Sequence, residues 1–332
     1  MAISIDDIKK LRAMTGAGLA DVKKALTEAE GDFDKAKELL RERGLAIAAK
    51  RSDRETSNGC VLVKCVDGFA AMIALKCETD FVANGADFIA LTQSILDAAI
   101  AAKAKDVEAV KELTLANGQK VQDAVTQRSG ITGEKMELDG YLTLEGENIE
   151  VYNHMGKNTL CTMVQTNKPA AEQGHLVAMQ VAAMKPVALD AQSIDPKILD
   201  EEYKTAVEKS KLEQVQKFVD MKLKKAGLNP NLVDSEDHIE SNMSKGWLTQ
   251  EQADEARKII ADAKVEGEAN LKMPMIEGIA KGRVEKFKKE NCLVDQEFQF
   301  GDGDKATVSQ WLAKQDKDLK IVAFQRFTLV AD

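Results

Sequence analysis

The sequence has few of the residues and runs that mark secreted, metal-binding or membrane proteins. Its 332 residues contain five cysteines and three histidines, with no C-x-x-C pair and no two histidines four residues apart. This argues against a disulfide framework and a zinc site. No apolar run approaches the ~18 residues that span a bilayer. The N-terminus, MAISIDDIKK, lacks the basic region and apolar stretch of a secretory signal. We expect a soluble cytoplasmic protein with no bound metal and no membrane contact.

Motifs for nucleotide or covalent chemistry are also missing. The phosphate loop G-x-x-x-x-G-K-[ST] does not occur. Thr15-Gly-Ala-Gly18 follows no predicted strand and lacks a third glycine, so it indicates a helix end and a turn rather than a dinucleotide site. Carboxylates are scattered among lysines at helical spacing, as on solvated faces. The sequence therefore predicts a binding protein without a cofactor, and not an enzyme.

Charge is spread unevenly along the chain. The net charge is −9, yet residues 1–54 hold 12 basic and 10 acidic side chains, against 34 and 45 in the rest. An acidic chain is not expected to bind nucleic acid directly, and only Lys50, Arg51 and Arg54 hint at an RNA-binding surface. The mildly basic front part predicts a separate module that ends near residue 54.

The first 45 residues predict three short amphipathic helices. Ser4, with Asp7 three positions on, is the expected cap of the first helix. Leu19, Val22 and Leu26 are expected on the buried face of the second helix. The first helix is expected to start at Ser4 and end at Gly16, the second to run from Leu19 to Gly31, and the third from Asp32 to Gly44. A polar linker is expected over residues 48–59.

Beyond the linker the apolar period changes from 3.6 to 2. The segments CVLVKCV and FAAMIALKC, joined at Asp67-Gly68, predict a β-hairpin that a helix follows. The same strand–strand–helix order recurs in GYLTLEGENIEVYNHMG, NTLCTMVQT and GHLVAMQVAAM. This repetition predicts an α+β protein with a duplicated core of antiparallel sheets.

The last third of the chain returns to a helical pattern. A helix of about 30 residues ending at Gly227 and a second one opened by a Thr249/Gln252 capping box predict a protruding hairpin or coiled coil. A strand at Phe298 and Phe300, a short helix and a final strand IVAFQRFTLV are expected to rejoin the core. The expected domains are 1–54 (module and linker), 55–140 and 141–195 (the core halves), 196–290 (helical hairpin) and 291–332 (return to the core).

The tetrapeptide Thr79-Asp80-Phe81-Val82 leaves a predicted buried strand and enters a polar turn. The pattern alone favours Phe81 as the first core residue of the next helix. The alternative is an exposed aromatic anchor that contacts a partner. Cys77, just before it, is interpreted as a small buried hydrophobe. A thiol enzyme built on Cys77 or Cys161 has little support, because Cys77 lies at the end of a predicted buried strand.

At these residues the chain resembles the bacterial elongation factor Ts family. LRAMTGAGLADVKKALTEAEGDFDKAKELLRERG resembles the family's N-terminal signature and CETDFVA its second signature, while YNHMG, AMQVAAMKP and the stretch around Gly282-Arg283 and Lys286-Phe287 are also similar. The resemblance covers nearly all of the chain. The segment from about 213 to 270 is longer than the family's usual hairpin. The chain ends directly after RFTLVAD, so we expect no contacts from the C-terminal helical module of some members.

The resemblance implies a nucleotide-exchange factor for the GTPase elongation factor Tu. It implies that the T-D-F-V turn disturbs the bound magnesium and phosphate site, so that GDP leaves and GTP rebinds during translation elongation. It also implies three groups of partner-binding residues. They are the magnesium-displacing group Thr79, Asp80, Phe81 and Val82; the N-terminal group Leu11, Arg12, Thr15, Gly16, Ala17, Gly18, Asp21, Lys23 and Lys24; and the core-helix group Met179, Gln180 and Val181.

One alternative function remains open, as does the oligomeric state. The three-helix module is similar in fold to ubiquitin-associated (UBA) modules. The protein could therefore be an adaptor that binds a small domain without affecting nucleotide exchange. The helical hairpin is a candidate surface for a homodimer.

Overall fold

A computed structural model describes residues 3–15, 17–51, 53–301, 303 and 305–330. The chain divides into two compact units, the first formed by Met1–Leu189 with Gln296–Asp332 and the second by Asp190–Asp295. Among the described helices, none has both the length and the apolar character needed to cross a membrane.

The described residues form thirteen α-helices and six strands. The helices are α1 (Ile5–Thr15), α2 (Leu19–Glu28), α3 (Phe33–Lys50), α4 (Asp80–Ala83), α5 (Ala86–Ala102), α6 (Val107–Lys111), α7 (Val121–Thr132), α8 (Ala171–Met184), α9 (Pro196–Lys225), α10 (Glu236–Ser244), α11 (Gln250–Ala269), α12 (Met273–Asn291) and α13 (Val308–Gln315). The strands are β1 (Asn58–Val66), β2 (Phe69–Cys77), β3 (Glu137–Glu145), β4 (Ile149–Asn153), β5 (Leu160–Thr166) and β6 (Ile321–Thr328).

Helices α1 to α3 form the predicted N-terminal module. Ser4 and Asp7 cap α1 reciprocally, since the Asp7 N–H donates to Ser4 Oγ at 3.0 Å and the Ser4 N–H donates to the Asp7 carboxylate at 3.2 Å. The Asp32 carboxylate accepts the N–H of Asp34 at 2.9 Å and so caps α3. The small core of this module consists of Leu11, Ala17, Val22, Ala25, Leu26, Ala29, Ala36 and Leu40.

The prediction that the third helix ends at Gly44 is wrong, because α3 continues to Lys50. Gly44 lies inside the helix, where α7 packs very close. A Cβ added at Gly44 would lie 2.9 Å from the Thr126 carbonyl oxygen, and one added at Gly130 would lie 2.7 Å from Gly44 Cα. Glycine therefore permits a close helix crossing here rather than a helix end. The predicted linker shrinks accordingly to the residues between Lys50 and Asn58.

The two core halves share one topology. The strand orders are β1-β2-β3 and β4-β5-β6, and all neighbours are antiparallel. In each half two strands come first, one or more helices follow, and the third strand pairs with the second. Each middle strand also carries a register shift, at Ala74/Leu75 in β2 and at Gln165/Thr166 in β5. The duplicated α+β core is thus present, although the first sheet extends past the predicted boundary at 140 to Glu145.

The two sheets pack face to face within the first unit. Val61 and Met72 from one sheet and Ile149 and Met163 from the other share a buried apolar cluster. Helix α5 covers the outer face of the first sheet and α8 that of the second. This arrangement gives four layers.

The C-terminal segment differs from the prediction at one element. No strand forms at Phe298 and Phe300; the described residues there make a single bridge between Glu297 and Thr307. Phe298 instead packs on Trp311 of α13, with ring centroids 4.1 Å apart. Helix α13 and the final strand β6 form as predicted, and β6 completes the second sheet beside β5.

In the second unit, α11 and α12 pack against the long helix α9. The predicted Thr249/Gln252 capping box is present. Leu212 of α9 is 70% exposed although it is apolar. The connection between α9 and α11 contains α10, and its residues Val233 and Ile239 belong to a buried apolar cluster.

Candidate functional site

The T-D-F-V segment forms a single helical turn, α4, directly after β2. Thr79 caps this turn, since its Oγ1 accepts the N–H of Val82 at 3.3 Å and its carbonyl accepts the N–H of Ala83 at 3.1 Å. Val82 and Ala83 pack into the apolar cluster between α5 and the first sheet. The backbone of α4 is therefore anchored from the core side.

Phe81 points away from this core. Its side chain is 87% exposed, the highest value among the large apolar residues that the structure describes as exposed, whereas Phe88 in α5 is 2% exposed. The interpretation of Phe81 as a core residue is wrong. A phenylalanine left in water lacks the stabilisation of about 1.5–3 kcal/mol that burial of its side chain would give. A bulky ring held out on an anchored turn is typical of a contact site for a partner.

Glu134 holds the start of α4 from the side. Its Oε2 accepts the N–H groups of Glu78 and Thr79, each at 3.1 Å, and its Oε1 accepts the Thr79 hydroxyl proton at 2.6 Å. Glu134 follows Gly133, whose φ of +71° ends α7. Glu134 was not predicted as a site residue, because no local pattern relates it to Thr79, which lies 55 residues earlier.

Glu78 connects the same place to the segment after α3. Its carboxylate accepts bonds from the Arg51 guanidinium at 2.8 and 2.9 Å and from Arg54 at 3.4 Å. The backbone N–H of Lys135 donates to it at 2.7 Å. This N–H, together with the two arginines, lowers the pKa of Glu78 below its ordinary value. Arg51 and Arg54, two of the three residues that hinted at RNA binding, are thus engaged internally.

The N-terminal group divides into buried and exposed residues. Leu11, Thr15 and Ala17 are buried, and Gly16 lies outside the described residues. The Thr15 hydroxyl donates to the Leu11 carbonyl at 2.7 Å, and the Thr15 carbonyl accepts from Gln127 Nε2 of α7 at 2.7 Å. These residues shape the turn between α1 and α2. The members with exposed surfaces are Arg12, Gly18, Asp21, Lys23 and Lys24.

Two apolar residues beside this turn were not predicted as surface residues. Met14 is 54% exposed and Leu19, which we expected on the buried face of α2, is 58% exposed. Leu19 is the first residue of α2. Arg12, Met14 and Leu19 are thus exposed residues at the end of α1 and the start of α2.

The core-helix group lies mostly inside the protein. Gln180 and Val181 are fully buried, and Met179 is half-buried. Gln180 donates to the Glu297 carbonyl at 3.1 Å and accepts the N–H of Gln299 at 3.0 Å. The side chains of Gln180 and Val181 are thus enclosed by their own chain, and contact of this group with a partner stays a prediction. Gln180 ties α8 to the segment before α13.

The cysteines have the properties of core residues. Cys60, Cys77, Cys161 and Cys292 are buried, and burial raises the pKa of both Cys77 and Cys161 to about 12. A thiol of this kind is a poor nucleophile at neutral pH. Within the described residues, no group of three or more histidine, cysteine, aspartate or glutamate side chains is arranged to hold a metal ion.

Comparison with known proteins agrees with the signatures in the sequence. A profile of the family described as "Elongation factor TS" matches residues 78–331. The elongation factor Ts proteins of Bacteroides fragilis and Phocaeicola vulgatus are each 57% identical to this chain, over 333 and 332 aligned residues that cover all of both proteins. That of Porphyromonas gingivalis is 41% identical, again over the full length of both. The chain belongs to the elongation factor Ts family.

Proposed function

We propose that this protein promotes GDP release from elongation factor Tu by inserting Phe81 near the magnesium and phosphate site of the GTPase. Membership of the elongation factor Ts family supports the general role of a nucleotide-exchange factor on elongation factor Tu, without covalent catalysis. The single observation that supports the finer mechanism is the 87% exposed Phe81 on the anchored turn α4. Thr79, Asp80 and Val82 supply its cap, its flanking charge and its anchor.

The proposed mechanism is thermodynamic linkage between two ligands of one GTPase. A factor that binds the nucleotide-free form more tightly than the GDP form must weaken GDP binding by the same ratio. Each ~1.4 kcal/mol of this coupling changes GDP affinity about tenfold. A magnesium ion that bridges phosphate oxygens contributes several kcal/mol to the binding of GDP. Its displacement by an apolar ring would therefore supply a large part of the coupling.

We propose the exposed part of the N-terminal group as the second contact. Arg12, Lys23 and Lys24 are exposed basic residues, and Met14 and Leu19 are exposed apolar residues of the same two helices. Such a surface suits an acidic partner helix with an apolar stripe, since opposite charges speed encounter and apolar burial sustains binding. In the core-helix group, only Met179 retains enough accessible surface to take part.

The test is the rate of fluorescent GDP release from elongation factor Tu in a stopped-flow instrument, with the wild-type protein and Phe81→Ala. We expect the wild type to accelerate release and the variant to lose at least about tenfold of that effect, equivalent to ~1.4 kcal/mol. The variant should keep its thermal stability, since changes at exposed sites are usually within about 0.5 kcal/mol.

A matched substitution separates loss of contact from loss of fold. Phe88→Ala removes the same ring from a buried position and is expected to cost about 3–5 kcal/mol of stability. If the wild type binds elongation factor Tu but leaves GDP release unchanged, the adaptor function replaces the proposed one. If Phe81→Ala exchanges at the wild-type rate, exchange stands and the role of Phe81 is refuted.

Two further expectations stay predictions. Cytoplasmic location follows from the proposed role in translation. Self-association through the second unit would use its exposed apolar residues, of which Leu212 is 70% and Val265 71% exposed. Sedimentation velocity of the wild type and Leu212→Glu tests it: a dimer that the substitution dissociates supports this surface, and a monomeric wild type contradicts it.

A further inference from the structure

We infer that Glu134 is a positioning residue for Phe81, and that α7, which leads into it, fixes the N-terminal module and α4 as one rigid contact surface. This inference rests on the proposed function, because it assigns the residues that hold Phe81 in place. It concerns a carboxylate outside all three groups that the sequence assigned to partner contact.

Glu134 binds the start of α4 at three points. The three bonds from Glu134 reach two successive backbone N–H groups and the hydroxyl of the capping residue Thr79. That hydroxyl donates to Glu134 and accepts from the Val82 N–H, so its orientation is fixed from both sides. A one-turn helix cannot hold itself in water. The position of Phe81 therefore depends on these external bonds and on the packing of Val82 and Ala83.

Helix α7 contacts the N-terminal module before it leads into Glu134. The N-terminal module packs on this helix at the Gly44–Gly130 crossing. Gln127 donates to the Thr15 carbonyl at 2.7 Å, and Asp123 pairs with Arg41 at 3.1 Å. One helix of twelve residues thus contacts the module along its length and leads at its end into the residue that holds α4.

A second connection runs in parallel. The segment that leaves α3 carries Arg51, and Arg51 binds Glu78, the residue between β2 and the cap of α4. Glu78 also accepts the N–H of Lys135, the neighbour of Glu134. The module is therefore joined to the base of α4 through α7 and through Arg51. Two independent connections restrict rotation about either one.

The consequence for exchange is a specific kinetic signature. The remaining contacts would still bring the two proteins together without Glu134, so the concentration needed for half-maximal effect should change little. A loosely held ring would occupy the displacing position for a smaller fraction of time. The maximal rate of GDP release at saturating protein should therefore fall.

The experiment compares Glu134→Ala, Glu134→Gln, Phe81→Ala and the double variant Phe81→Ala/Glu134→Ala in the GDP-release assay. We expect Glu134→Ala to lower the maximal rate about tenfold, equivalent to ~1.4 kcal/mol, with the half-saturating concentration within about threefold. Glu134→Gln should recover most of the rate, because its amide oxygen can still accept both backbone N–H groups. In the Phe81→Ala background, Glu134→Ala should have no further effect.

Hydrogen–deuterium exchange of the free protein supplies a readout that needs no GTPase. Glu134→Ala should speed exchange of the amides of residues 78–84. Asp139→Asn, which removes a nearby ion pair with Lys76 but no bond to α4, should not. The inference is refuted if Glu134→Ala leaves both the exchange of these amides and the maximal rate of GDP release at wild-type values. It is also refuted if Glu134→Ala lowers the maximal rate further in the Phe81→Ala background. If the wild type does not speed GDP release but the amides respond as expected, the proposed function fails while the hold on α4 stands.

Discussion

Replacing Gly130 by alanine is expected to loosen the N-terminal module, although alanine is the better helix former. Inside a helix the substitution should gain about 0.8–1.0 kcal/mol from propensity. The added methyl group, however, would lie 2.7 Å from Gly44 Cα, well inside the optimal carbon–carbon distance of about 3.5–4.0 Å. Backbone cannot swing aside as a flexible side chain does, so α3 and α7 must separate by about 1 Å, and such overpacking costs about 1–3 kcal/mol. We expect a net loss of about 1 kcal/mol.

Gly278→Ala is the matched control, because a Cβ at this helical position in α12 would meet nothing within 4 Å. The same substitution should stabilise α12 by up to about 1 kcal/mol. Hydrogen–deuterium exchange read by peptide follows both sites separately. Peptides of α3 and α7 should exchange about fivefold faster in Gly130→Ala, and α12 peptides slower in Gly278→Ala. If Gly130→Ala protects α3 and α7 as Gly278→Ala protects α12, the close crossing does not exist as described.

Two further predictions concern titratable groups. Iodoacetamide should label the half-buried Cys65 before the buried cysteines Cys60, Cys77 and Cys161. Burial raises the pKa of Cys60 to about 11 and that of Cys77 and Cys161 to about 12. Mass spectrometry of the native protein after brief labelling at pH 8 checks this order, and early modification of Cys77 would contradict it. Glu78→Gln should destabilise the protein at pH 7, but progressively less as the pH falls below 4.5, the ordinary pKa of a glutamate. The pKa of Glu78 in the folded protein lies below this value, so the stability that its carboxylate contributes is lost when the group is protonated. Urea midpoints of wild type and variant at pH 7 and pH 3 test this, and the same difference between the two proteins at both pH values would refute it.

Local sequence signals were sufficient for the elements that they specify directly. The Ser4/Asp7 and Thr249/Gln252 caps mark helix starts through bonds between residues three apart. The Asp67-Gly68 turn is specified in the same way, since both residues adopt positive φ, of 48° and 73°, as a tight hairpin requires. The spacing of apolar residues and the capping residues therefore predicted most of the helices and strands, and the resemblance to the family implied a role for Phe81.

The errors arose where a distant segment decides the outcome. Gly44 carries the usual signal of a helix end, but the close approach of α7 makes it an interior residue. Phe81 fits the apolar spacing of a core residue, and only the packing of Val82 and Ala83 shows that the ring faces outward. The burial of Gln180 likewise depends on a distant segment, because Glu297, whose carbonyl accepts its bond, lies 117 residues later.

The pairing of β6 with β5 has a consequence for how the chain folds during synthesis. Asn167 and Lys320, bonded at the end of this pair, are 153 residues apart, and the whole second unit lies between them. Loop closure adds only about 0.6 kcal/mol for each doubling of length, so the long insertion weakens the sheet by about 2 kcal/mol relative to a 20-residue connection. The second sheet is also completed late in synthesis, and this delay is larger than the free-energy difference suggests. The first sheet can close once β3 has left the ribosome, while β5 must wait with one unpaired edge for the last strand to emerge.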